Sequence, residues 1–193
     1  SEAHHIPYSV AEQSLVRQPL VDTLLSWLLL PQERFEAPTV MGWLELPSVQ
    51  AKLKLDEEAV ERIRQWVGQS GIRWGLDGAH KAQFGLPPDE QNTWRFGLRR
   101  LFLGYAMNPA TELFQTVAPY SDIEGGESLW LGQLQLFIEQ LDSHRREFAT
   151  PATLSQWQAR INCIIDQFFQ PSEHESMLID ALRGQLARLV ETA

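Results

Sequence analysis

The chain has 193 residues, 44% of them hydrophobic, with seven tryptophans, one cysteine and a formal net charge of −9. That supply of apolar and aromatic side chains excludes intrinsic disorder, and a single cysteine excludes an internal disulfide framework and suits a reducing, cytoplasmic setting. The acidic balance counts against a free-standing nucleic-acid binder, unless the basic residues gather on one face.

Apolar residues recur at three- and four-residue spacing, the period of an α-helix. A first helix is predicted from about Pro19 to Leu30, with Pro19 in its first turn and Pro31 beyond its end. Leu20, Val21, Leu24, Leu25, Trp27 and Leu28 make it apolar on nearly every face, so it is expected to be a central core helix. A shorter helix follows at about Pro38 to Leu46, ending before Pro47. Asp56-Glu57-Glu58 opens an amphipathic helix to about Gln69, with Val60, Ile63, Trp66 and Val67 on one face and Ser70-Gly71 closing it.

Thr93 suits the N-cap of a helix running to about Met107, stopped by Asn108-Pro109. Its stripe Trp94, Leu98, Leu101, Phe102 and Tyr105 has the spacing of a buried face. A long helix is predicted from about Ser128 to Phe148, and another from Thr150-Pro151 to about Phe169. Cys163 lies in that last run among Ile161, Ile164 and Ile165, and is expected to be a buried thiol. The final helix starts at Pro171-Ser172, where Ser172 and Glu175 fit a capping box. Its inner side is read as Met177, Leu178, Ala181, Leu182, Leu186, Leu189 and Val190.

No strand-like alternation, internal repeat or low-complexity tract is visible. The fold class is all-α, a helical bundle, taken as one domain over 1–193 with a sub-boundary near 120–127 around Gly125-Gly126. The longest apolar candidate for a membrane span, Leu24 to Leu30, is broken by Ser26 and far short of the roughly 18 residues required. Without an initiating methionine, and with Ser1 to His5 reading as an added remnant, the chain is expected to be an internal piece of a longer protein.

Motifs for chemistry are absent. None of Gly68, Gly71, Gly75 and Gly78 belongs to the glycine–lysine–serine/threonine loop that cradles phosphates. His4, His5, His80, His144 and His174 lack metal-ligand spacing, so no metal or other cofactor is expected. Asp56, Glu57, Glu58 and Glu61 cluster at a helix N-terminus, where they stabilise its dipole on a solvated face. The fragment is therefore expected to carry no catalytic residue.

Two segments stand out, residues 71–77 (Gly-Ile-Arg-Trp-Gly-Leu-Asp) and 92–100 (Asn-Thr-Trp-Arg-Phe-Gly-Leu-Arg-Arg). Each joins arginine to tryptophan. Arginine holds a phosphate bidentately, and tryptophan stacks on a base or on arginine. The plainer reading, which composition favours, makes the tryptophans core anchors and pairs the arginines with acids such as Asp77, Asp89 or Glu90. The DNA-contact candidates are Arg73, Trp74, Trp94, Arg95, Arg99 and Arg100.

Residues 6–9 (Ile-Pro-Tyr-Ser), 30–35 (Leu-Pro-Gln-Glu-Arg-Phe), 70–77 and 93–107 follow one another in an order that resembles the RecC family, the gamma subunits of exodeoxyribonuclease V (RecBCD). The likeness extends more faintly through Val117-Ala118-Pro119-Tyr120 to the last helix. It implies a helical insertion in a subunit built like a superfamily 1 helicase without ATPase motifs. It also implies RecB-like and RecD-like partners, contact with a duplex end or fork inside the complex, and a part in double-strand-break repair by homologous recombination. The parent complex the resemblance implies would be an ATP-dependent exonuclease and helicase. RecC is credited with reading Chi, but no Chi-reading residue carries over to this chain. The other reading is a pure interaction module that binds RecB or RecD and never touches DNA.

Overall fold

The computed structural model describes residues 18–106 and 126–192. Among these residues it has nine α-helices and no strand: α1 Pro19–Leu28, α2 Ala37–Leu44, α3 Pro47–Leu53, α4 Glu57–Gln69, α5 Gly78–Ala82, α6 Trp94–Ala106, α7 Glu127–Phe148, α8 Leu154–Phe168 and α9 Glu173–Glu191, with a 3-10 turn at Leu30–Gln32. The all-α expectation holds. The sub-boundary near 120–127, Asn108-Pro109 and the segment 117–120 lie wholly or mainly outside the described residues. One cluster of buried apolar residues runs from Leu20 to Ile179 and so joins both described stretches.

The capping signals act where they are expected. Asp56 accepts from the Ala59 amide at 2.8 Å to start α4, and Thr93 Oγ1 accepts from the Phe96 amide at 3.2 Å to start α6. Ser172 and Glu175 form the reciprocal capping box of α9, with each side chain accepting from the other's amide. In α4, Val60, Ile63, Trp66 and Val67 are all buried, so its predicted inner face is correct.

Other expectations need correction. The helix expected at about Pro38 to Leu46 does end before Pro47, but Pro47 also opens α3, a helix the spacing did not reveal, because proline suits a first turn as well as it stops a previous one. The helix expected from Thr150-Pro151 begins at Leu154, after its N-cap Thr153, which shares a capping box with Gln156. α1 is not buried all round, since Leu25 is 46% exposed and Leu29, just past its end, 58%. Tyr105, expected in the buried stripe of α6, is exposed. Cys163 is exposed, because α8 turns the i, i+3, i+4, i+7 set Ile161, Ile164, Ile165 and Phe168 inward and leaves position 163 on the opposite side. In α9 the one buried residue is Ile179, whereas Met177 and Leu189 face solvent.

Trp27 organises one end of the core. Fully buried, it stacks on Phe169 at 5.0 Å, meets Phe168 at 4.9 Å and takes Trp43 edge-on at 6.1 Å, joining α1, α2 and the end of α8. The Gln170 amide donates to the Ser48 carbonyl, tying the end of α8 to α3. Arg62 pairs with Glu127 at 2.8 Å and fastens α4 to the start of α7. These contacts fix the frame on which the two arginine–tryptophan segments meet.

Candidate functional site

The two segments are brought together by the backbone. The amides of Arg73 and Trp74 donate to the Asn92 carbonyl, and those of Trp94 and Arg95 donate to the carbonyls of Gly75 and Leu76. A third piece joins them: the Gly75 amide donates to Arg34 O, and the Ala37 amide to Arg73 O. Residues 34–37, 71–77 and 92–95 thus form a knot of loops held without a strand. Gly71 and Gly75 adopt positive φ values of 82° and 79°, conformations that favour glycine. Phe35, at φ 55° and fully buried, is held in the same unusual region by the contacts around it.

The two tryptophans have different roles. Trp94 is fully buried and its indole Nε1 donates to the Phe35 carbonyl at 2.9 Å, so it anchors the knot and offers no face to a base. This corrects its place among the contact candidates. Trp74 is half-buried, with the Arg34 guanidinium 4.7 Å from its ring centroid and Phe84 edge-on at 6.1 Å. Arg34 was not among the predicted residues, since nothing local joins it to a tryptophan forty positions later.

Behind Trp74 lies a buried polar pair. His80 sits between Phe35 and Phe84, and its Nδ1 accepts from the Leu76 amide at 3.2 Å. Burial, followed by the charge of Arg145, lowers its pKa below the ordinary 6.5, against the opposing pull of Asp77, Asp142 and the Glu33 backbone. Lys81 is also buried, and its ammonium donates to Gln91 O at 2.6 Å and to Asp89 at 3.0 Å. The hydrogen bond from Lys81 holds the Asp89 carboxyl below the usual range.

The four arginines fall into two sets. Arg100 reaches back to donate to Ser70 O at 2.7 Å, and Arg73 is exposed beside α2 and α4, lining a shallow recess with Glu45 and Arg64. Arg95 and Arg99 instead line a groove of about 460 Å³ between α6 and α7. Leu76, Leu98, Phe102 and Ile138 form its apolar part, while Glu139, Asp142 and Arg146 line it from α7. The Arg95 head is 63% exposed and pairs at 2.7 Å with Asp77, itself 15% exposed. Arg146 repeats the arrangement with Asp142, the arginine 66% exposed and its acid 17%. Sequence reading missed Arg146, whose one visible signal was a cationic pair in the last turn of a long helix.

Asp77 therefore has two functions. One carboxylate oxygen caps α5 by accepting from the His80 amide at 2.8 Å, and the other orients Arg95. Arginine heads held outward over less exposed acids can meet an anionic group, such as a phosphate or carboxylate, without first being ordered. The acids leave the groove mixed in charge rather than strongly basic. Among the described residues no group of histidine, cysteine and acidic side chains is arranged to hold a metal ion, and no helix is long and apolar enough to cross a membrane.

A family model described as the fourth domain of the RecBCD enzyme subunit RecC matches residues 17–193. The chain is 32% identical over 187 residues to RecBCD enzyme subunit RecC of Escherichia coli, a stretch covering 96% of this chain and 17% of that protein. Identity to the RecC of Buchnera aphidicola subsp. Acyrthosiphon pisum is 29%, covering 96% of this chain and 18% of the relative. With the RecC of Mycobacterium tuberculosis it is 30% over 141 residues, covering 72% and 13%. The chain thus spans less than a fifth of the length of each relative. The helices, the knot of arginine–tryptophan segments and the match along nearly the whole chain lead to one conclusion: this chain belongs to the RecC family and corresponds to its fourth domain.

Proposed function

We propose that this chain is a non-catalytic structural segment of a RecBCD-type complex. It helps assemble the complex and shape the DNA path during double-strand-break repair by homologous recombination in the cytoplasm. Its partners are RecB-like and RecD-like subunits, and ATP-driven unwinding and nuclease chemistry belong to other parts of the complex. The observation that carries the DNA part is the α6–α7 groove, where Arg95, Arg99 and Arg146 line one opening and two of them rest on less exposed acids. Such heads suit phosphates of a passing strand, which position nucleic acid without reading its sequence.

A second reading, binding to RecB or RecD without DNA contact, draws support from the same groove. Glu139 and Asp142 line it beside the arginines, and the chain as a whole is acidic. The test uses the intact subunit carrying Arg95→Ala and Arg99→Ala. Under the favoured reading it still co-purifies with its RecB-like and RecD-like partners but holds forked DNA more weakly. Unchanged DNA affinity with intact assembly sustains the second reading, and failure of wild-type subunit to co-purify with either partner removes both.

A further inference from the structure

A second surface is apolar except for Gln158. The ends of α1 (Leu28) and α9 (Leu186, Leu189, Val190) meet the start of α8 (Leu154, Trp157) around a groove of about 320 Å³ whose lining includes no charged side chain. Leu154 and Leu189 are 52% and 60% exposed, and Leu25, one turn before Leu28, is exposed too. Contiguous exposed apolar surface of this kind marks an interaction site rather than scattered surface leucines.

We propose that this groove seats an amphipathic helix contributed by the rest of the longer RecC-family chain, inserting leucine-sized side chains spaced three and four residues apart. The proposal rests on the family reading above. The matched stretch is 17% of the Escherichia coli relative, so more than four-fifths of such a chain lies outside it. The groove is lined by eight residues, whereas a free interface takes roughly 20–30 a side. A tethered helix needs far less, because its effective concentration is on the order of millimolar. A second copy is the poorer occupant, since each copy would bring a net charge of −9 against the other with no charged groove residue to offset it.

The experiment places a photoreactive benzoylphenylalanine at position 189 of the intact protein, irradiates it in the assembled complex and maps the products by mass spectrometry. The expected product is a cross-link to one helical stretch of the same polypeptide outside residues 1–193, lost on adding Leu154→Asp and absent when the probe is moved to Asp180. Helical content measured on each variant shows that it is folded. A cross-link to a second copy or to another polypeptide overturns the proposal, as does a folded protein that gives none. Co-purification with RecB-like and RecD-like subunits is read in parallel. Assembly without the intrachain cross-link removes this inference alone, and the cross-link without assembly leaves the groove while removing the RecBCD role.

Discussion

Trp94 donates its indole N–H to the carbonyl of Phe35, 59 residues earlier in the chain, at 2.9 Å and in a fully buried setting. This bond closes the knot, because Phe35 belongs to the loop that also receives the Gly75 amide at Arg34. Trp94→Phe keeps much of the apolar bulk but leaves the carbonyl unsatisfied, at a cost of about 1–3 kcal/mol. Chemical denaturation of wild type and variant measures it. The half-buried Trp74, replaced by phenylalanine, should lose less.

Gly97 is fixed by a close approach between helix and loop. A β-carbon there would lie 2.1 Å from Ile72 Cγ1 and 2.6 Å from its Cδ1, and Ile72 is fully buried. Alanine gains up to about 1 kcal/mol over glycine inside an unhindered helix, but overpacking costs about 1–3 kcal/mol and decides the sign. Gly97→Ala should therefore destabilise the fold. The double variant with Ile72→Ala should lose less than the sum of the two single losses, as a double-mutant cycle in thermal or denaturant unfolding shows.

Asp77 and Arg95 share an ion pair but contribute unequally. Asp77→Ala removes the cap of α5 as well as the pair, and caps are worth about 1 kcal/mol. Arg95→Ala removes one exposed partner, and exposed pairs are worth about 0–1 kcal/mol. The unfolding midpoint should fall clearly for the aspartate variant and little for the arginine variant. Equal losses would place the stabilisation in the ion pair.

His80 gives the fold a dependence on pH. Its folded pKa lies below 6.5, chiefly through burial, so in mild acid the unfolded chain takes up a proton that the folded chain resists. Stability is unaffected by this group above pH 6.5 and falls as pH drops from there toward the folded value. The drop in melting temperature between pH 7.5 and pH 5.5 should be smaller in His80→Gln than in wild type, whatever the variant's own starting stability.

The parts of the fold legible in the sequence were those set by local chemistry. Asp56, Thr93 and Ser172 mark helix starts through hydrogen bonds from amides three residues on, and the α4 stripe follows from period alone. Helices α3 and α5, seven and five residues long, are too short to display a period. The difference between Trp94 and Trp74 depends on Phe35 and Arg34, both distant in sequence, so matching arginine–tryptophan segments could not reveal which indole is buried. For the same reason Arg95 and Arg99 were read in one group with Arg73 and Arg100, though only the first two line the α6–α7 groove. In α9, Leu189 and Met177 have the composition of an inner face, but among the described residues only α8 packs closely along this helix.

The most direct measurement is the salt dependence of forked-DNA binding by the assembled complex, with and without Arg95→Ala and Arg99→Ala. Each phosphate contact on duplex contributes about −0.9 to the slope of log affinity against log salt. The account predicts weaker binding by the double variant and a slope shallower by about 1.8. Identical slopes and affinities, with the complex fully assembled, would contradict a DNA-facing role for this groove.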